Sequence, residues 1–332
     1  MLITAQQLQP FFEHEGAFTR PDWDAISHFI EKEILASDRN EAWNDAAALW
    51  AEALARDLGG DYRVMQSRHF ICLSDCDARN VQWMMRFAEH AESRIRGLLR
   101  DLAWNDTGKH VLLVLSEEDD YDAYASQFYD DGMYAASMGL QIRTGYPHIL
   151  VHFIEMREAL ETLAHELSHA CVAHLPLPRW LDEGIAVSLQ KIIGDVPPAE
   201  SMTDAQAVWS MQSGWTPPVL WGELAERHHE FWNETNIQSF WAGTSFFVAG
   251  DASELSYSLA EILVHLIAQD HGNWLDFLGR AHSDDAGQTA ALDCLGAGLG
   301  EIAGTFLGEG EWRPMRKELV AQWREAGWEK EK

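Results

Sequence analysis

The chain has 332 residues, 47% of them hydrophobic and 23% charged, which is enough to bury a sizeable core and ordinary for a globular protein. Against 24 Lys and Arg stand 53 Asp and Glu, giving a formal net charge of −29. Such a field repels phosphate backbones and anionic lipid surfaces, so neither nucleic acid nor a membrane is an expected partner, and basic or neutral partners are favoured.

The N-terminus "MLITAQQLQPFFEHEG" lacks the basic start, apolar stretch and cleavage site of a secretory signal. No apolar run reaches membrane-spanning length, so a cytoplasmic protein is expected. Cys72, Cys76, Cys171 and Cys294 are too few and too scattered for a disulfide framework, and "CLSDC" is one residue longer than the usual metal knuckle with no second pair to answer it. Reduced thiols are the expectation.

In chain order, residues 1–60 read as helical, with "EAWNDAAALWAEALARDLGG" rich in Ala and Leu and closed by Gly59-Gly60. "SRHFICLS" (Ser67 to Ser74) reads as a strand, Asn80 to Leu102 as a long amphipathic helix, and "KHVLLVLS" (Lys109 to Ser116) as a second strand. An exposed edge strand is expected near Met133 to Ile142, and "HILVHF" (His148 to Phe153) is a further strand. The period then turns helical from Met156 to His174, breaks at "LPLP", and resumes from about Pro178 to Ile193. Beyond Pro197 the chain reads as helical, "SYSLAEILVHLIAQDHG" and "RPMRKELVAQWREAG" being the most periodic pieces. Trp209, Trp215, Trp221, Trp232 and Trp241 crowd that region, and buried packing is their default role. The pattern predicts an α+β fold with a small mixed sheet, divided as a helical region 1–60, a core 61–195 and a helical region 196–332.

The chemistry concentrates in "HELSH", His165 to His169. At about 100° per residue the two histidines fall about 40° apart, while Met156, Leu160, Leu163, Leu167 and Cys171 gather on the opposite side. Residues i and i+4 stand one above the other, so both imidazoles can reach one ion. Glu166 lies about 100° round from His165, off the ligand line and beside the place of a metal-held water. His-Glu-x-x-His arises by chance in about one chain in twenty of this length, so the five residues alone do not establish a site.

A catalytic zinc takes three protein ligands and leaves one position open. Val172 and Leu175 occupy the places where the metzincin continuation needs glycine and histidine, which excludes that subclass. His174, five residues beyond His169, points well away from it round the helix and is not expected to ligate. The segment "WLDEG" is better placed. Pro176 and Pro178 break the first helix about five residues past His169, and the second descends about five residues to Glu183, each leg about 7.5 Å, which returns Glu183 to the level of His169. Asp182 is the rival, but it and Glu183 diverge by about 100°, so one of them faces the ion, and the longer Glu183 is favoured. Gly184 costs about 1 kcal/mol in a helix interior unless close backbone approach requires it, as two helices sharing one ion would.

The run "HELSHACVAHLPLPRWLDEGIA" resembles the gluzincin branch of zinc metallopeptidases, in particular the peptidase MA-like group with its HExxH helix followed by a WLxEGxA helix. The resemblance is specific over about 35 residues, looser from about Arg68 to Phe306, and absent from the N-terminal 60 residues. It implies a zincin-like fold, one Zn2+ per chain held by His165, His169 and Glu183, Glu166 as general base, and a peptide or protein substrate. The segment "SYSLAEILVHLIAQDHG" is similar to a downstream helix of that group with a tyrosine near its start, which makes Tyr257 the candidate for stabilising the oxyanion. Peptide is expected to add as a strand to the edge near Met133 to Ile142. The alternative is a catalytically inactive, zinc-stabilised peptide-binding protein of the same fold. Glu166 separates the two, since a structural site has no use for a base.

Overall fold

The computed structural model describes residues 5–15, 17–103, 108–129, 138–194, 223–269 and 271–326. It is an α+β structure of helices and a small five-stranded mixed sheet. Contacts divide the chain into two compact units, 1–171 and 172–332, the division falling near the end of the helix that carries the two histidines.

The first unit opens on a hairpin of β1 (Phe12–Glu15) and β2 (Phe18–Pro21), where helix was expected, followed by α1 (Trp23–Glu33) and α2 (Arg39–Leu58). The two strands pair Phe12 with Pro21 and Glu13 with Arg20, and no helical period runs through residues 12–21. The sheet combines β3 (Arg63–Gln66), β4 (Phe70–Ser74), β5 (His110–Leu115), β6 (Gly139–Ile142) and β7 (His148–His152) in the order β3-β4-β5-β7-β6. The three central strands run parallel, with antiparallel β3 and β6 at the edges. Every residue of β4 and β5 is buried, which is why these strands read as continuous apolar runs.

One sheet face, bearing Ile71, Leu73, Val111, Leu113 and Leu150, packs against Trp50, Ala51 and Leu54 of α2. The N-terminal helical segment is thereby part of the sheet's own core. Ile26 and Ile30 of α1 form a second cluster with Ala42 and Ala46 of α2. Helix α3 (Ala78–Leu99) buries Met84, Phe87, Ala88 and Ile95 and packs against β4. A short acidic helix α4 (Glu118–Ala125) precedes β6, and α5 (Met156–Val172) follows β7.

The second unit is helical throughout its described residues: α6 (Arg179–Gly194), α7 (Glu223–Phe231), α8 (Ile237–Ala242), α9 (Asp251–Ala268), α10 (His271–Arg280), α11 (Gln288–Leu295), α12 (Leu299–Leu307) and α13 (Arg316–Glu325). Its most extensive pairing is α6 with α9, which also carries the Lys191–Glu261 ion pair with N···O separations of 2.7 and 2.6 Å. Trp232 and Trp241 are buried in packing with Phe240, and the Trp241 indole N–H donates to the Trp312 carbonyl at 2.7 Å. Trp209, Trp215 and Trp221, like residues 133–137 of the expected edge strand, lie outside the described residues. Among the described residues no single helix is long and apolar enough to cross a membrane; α11 and α12 meet that measure only as a pair, across an 87° bend.

Candidate metal centre

Helix α5 forms because Leu160, Leu163, Leu167 and Cys171 recur at three- and four-residue intervals, and all four are buried. Ser168, fully buried among them, donates its hydroxyl to the Ala164 carbonyl at 2.7 Å, so no polar atom of that side chain is stranded in the core. The apolar face fixes the rotation of the helix, and the rotation fixes the histidines. His165 and His169 bring their Nε2 atoms to 3.2 Å, with ring planes at 79°. Zinc–nitrogen bonds of about 2.0–2.1 Å at a tetrahedral angle put two ligand nitrogens about 3.4 Å apart, so the pair already has the spacing of two corners of a zinc shell.

Glu166 is 8% exposed. Its stem lies against the edge strand: a Cβ built on Gly139 of β6 would stand 3.2 Å from Glu166 Cγ and 2.3 Å from Thr162 Cγ2. Any side chain at residue 139 would push the Thr162 methyl aside and crowd Glu166, so the glycine lets the edge strand run close over the helix at the glutamate.

After Val172 the chain turns through a Leu175 N–H to Val172 carbonyl bond of 2.9 Å, and the Pro178 carbonyl accepts from Leu181 and Asp182 N–H. Helix α6 thus begins at Arg179, one residue after the proline. Glu183, 5% exposed, faces inward, and one donor atom from each of His165, His169 and Glu183 lies within 4.8 Å of the others. Among the described residues this is the one cluster of at least three His, Cys, Asp or Glu that could hold an ion. His174 is exposed and outside it, and Asp182, one residue round the helix, is partly exposed and also outside it.

The reason for Gly184 differs from the sequence expectation. A Cβ there would meet the Ala260 carbonyl oxygen at 2.6 Å and Val264 Cγ2 at 2.7 Å, both on α9. The close approach that requires glycine is therefore the α6–α9 crossing. Tyr257 lies three residues before Ala260 and seven before Val264, on the face of α9 that meets α6. Its ring is partly buried and packs edge-on against Phe246 at 5.1 Å.

Two neighbours of Glu183 escaped the sequence reading. Arg179, one turn earlier, donates from Nη1 to Glu183 Oε1 at 2.9 Å, and Phe247 lies under its guanidinium with the ring centroid 4.7 Å from Cζ. The four-residue spacing of Arg179 and Glu183 was visible in the sequence; the contribution of Phe247, 64 positions beyond Glu183, was not. Comparison of the sequence with protein-family models gives no match, and comparison with curated proteins gives none.

Proposed function

We propose that the protein is a zinc-dependent peptidase of gluzincin type, with a zincin-like core. The observation that carries this reading is the meeting of His165, His169 and Glu183, one cluster made by residues that the HExxH and WLxEGxA segments single out. The 3.2 Å separation of the two Nε2 atoms suits zinc, and a buried carboxylate beside two imidazoles is a donor set that this ion favours. Going from at most 4.8 Å to the roughly 3.4 Å between ligands of a tetrahedral shell draws donor atoms together by at most about 1.4 Å, within reach of side-chain rotation.

When bound, zinc supplies Lewis acidity, which acidifies water and polarises a substrate carbonyl. The chain does the rest. His165 and His169 turn their Nε2 lone pairs to the cation, and Glu183 offsets its charge. Glu166, on the same helix but off the ligand line, takes a proton from the attacking water and returns it to the leaving amine. Tyr257 donates its hydroxyl to the oxygen on which negative charge develops. An extended peptide adds to β6, the strand that ends the sheet, and Gly139 keeps that strand against Glu166.

A mixed-peptide digest read by mass spectrometry tests the proposal. Wild type cleaves, and Glu166→Gln holds zinc without cleaving. Cleavage that survives Glu166→Gln removes Glu166 from the base role. A wild type that holds zinc and cleaves nothing replaces the enzyme with a zinc-stabilised peptide-binding protein.

A further inference from the structure

We infer that Arg179 and Phe247 form a clamp that positions Glu183 for the metal, an inference that rests on the zinc reading above. Three contacts fix the Arg179 side chain. Gly243, which ends α8 in the left-handed region at φ 81°, leaves so little room over the arginine stem that a Cβ there would come within 2.8 Å of Arg179 Cβ. The Phe247 ring carries the guanidinium at 4.7 Å. Nη1 then donates to Glu183 Oε1 at 2.9 Å.

The arrangement is poorly explained as a stabilising device. The Arg179 side chain is 43% exposed, and pairs this open to water, four apart on a helix, contribute little to stability. Phe247 meanwhile remains 53% exposed, leaving much of its apolar surface in water. As a positioning device it is explained. A carboxylate with one oxygen held by a braced guanidinium has the other oriented for the cation and ligates through one atom, not two. Hydrogen-bond partners of this kind commonly raise metal affinity about 10–100-fold. Arg179 touches neither substrate nor metal in this account; it acts through Glu183.

The test uses the full chain. Zinc affinity is measured by competition with a chromophoric chelator, and the visible absorption of the cobalt-substituted protein reports the coordination geometry. Arg179→Met is expected to weaken zinc about 10–100-fold and to alter the cobalt spectrum, while the metal-free protein melts as wild type does. Arg179→Lys, which keeps the charge without the fork, is expected to recover part of the affinity, and Phe247→Leu to lose about threefold. Should Arg179→Met prove misfolded, Arg179→Lys and Phe247→Leu decide, because wild-type affinity in both overturns the clamp. If wild type binds zinc and Arg179→Met binds it equally with an unchanged cobalt spectrum, the clamp is wrong and the zinc site stands. If wild type binds no zinc, both fall.

Discussion

Gly184 lies so close to Ala260 that a Cβ on the glycine would stand 2.6 Å from the alanine's carbonyl oxygen and 2.9 Å from its carbonyl carbon. Both atoms are backbone, so no rotamer change relieves the clash, and α6 and α9 must separate. Gly184→Ala is therefore expected to cost about 1–3 kcal/mol despite alanine's better helix propensity. It is also expected to weaken zinc binding, because Glu183 is the preceding residue. Denaturant unfolding with zinc titration checks this; a variant as stable as wild type would show that the crossing yields cheaply.

Tyr257→Phe keeps the ring that packs against Phe246 and removes only the hydroxyl. If that hydroxyl stabilises the oxyanion, kcat falls about 100-fold with KM little changed, by analogy with the loss of one oxyanion donor. Steady-state kinetics on a peptide found in the digest decides. An equal fall in substrate affinity would instead mark Tyr257 as a binding contact.

Acid should unfold the first unit through two buried histidines of the sheet. Burial, aided by nearby Arg96 and His69, lowers the His110 pKa to about 4 from 6.5, and burial lowers that of His148 to about 4. Burial is what keeps His148 neutral; the Tyr146 carbonyl, which accepts from Nδ1 at 2.7 Å, works in the opposite direction, and the Tyr124 hydroxyl lies 2.8 Å from Nε2. For both residues the folded pKa is depressed, so the unfolded chain binds more protons between about pH 6.5 and 4, and stability falls as pH drops through that window. Each contributes at most about 3 kcal/mol to that fall. His110 Nε2 is buried with no hydrogen-bond partner and its ring stacks on Phe70 at 5.2 Å, so His110→Phe should fold at neutral pH and lose stability less steeply on acidification. Thermal melts from pH 7 to pH 4 check it; an unchanged slope would remove His110 from the account.

Much of this was legible in the sequence, for physical reasons. The buried strands β4, β5 and β7 announce themselves as apolar runs, and α5 and α6 begin and end within two residues of their expected limits because prolines separate them. That Glu183 returns to the level of His169 was expected from counting helical rise from those prolines, and the three donor atoms lie within 4.8 Å of one another. The hairpin β1–β2 and the edge strand β3, whose residues are all at least partly exposed, were missed: four-residue strands with polar positions carry little periodic signal. The acidic helix α4 was missed as well, although Glu118, Asp119 and Asp120 suit the positive end of a helix dipole. What Gly184 packs against could not be read locally, since Ala260 is 76 positions away. The same holds for Phe247 under Arg179 and for Gly139 over Glu166, where tertiary approach and not local pattern selects the residue.

The central claim is a cation held by two imidazoles and a carboxylate, and elemental analysis of untagged protein tests it most directly. The account predicts about one zinc per chain in wild type and its loss in a folded His165→Ala variant. Wild-type protein that is well folded, free of metal as purified and unresponsive to added zinc would contradict it.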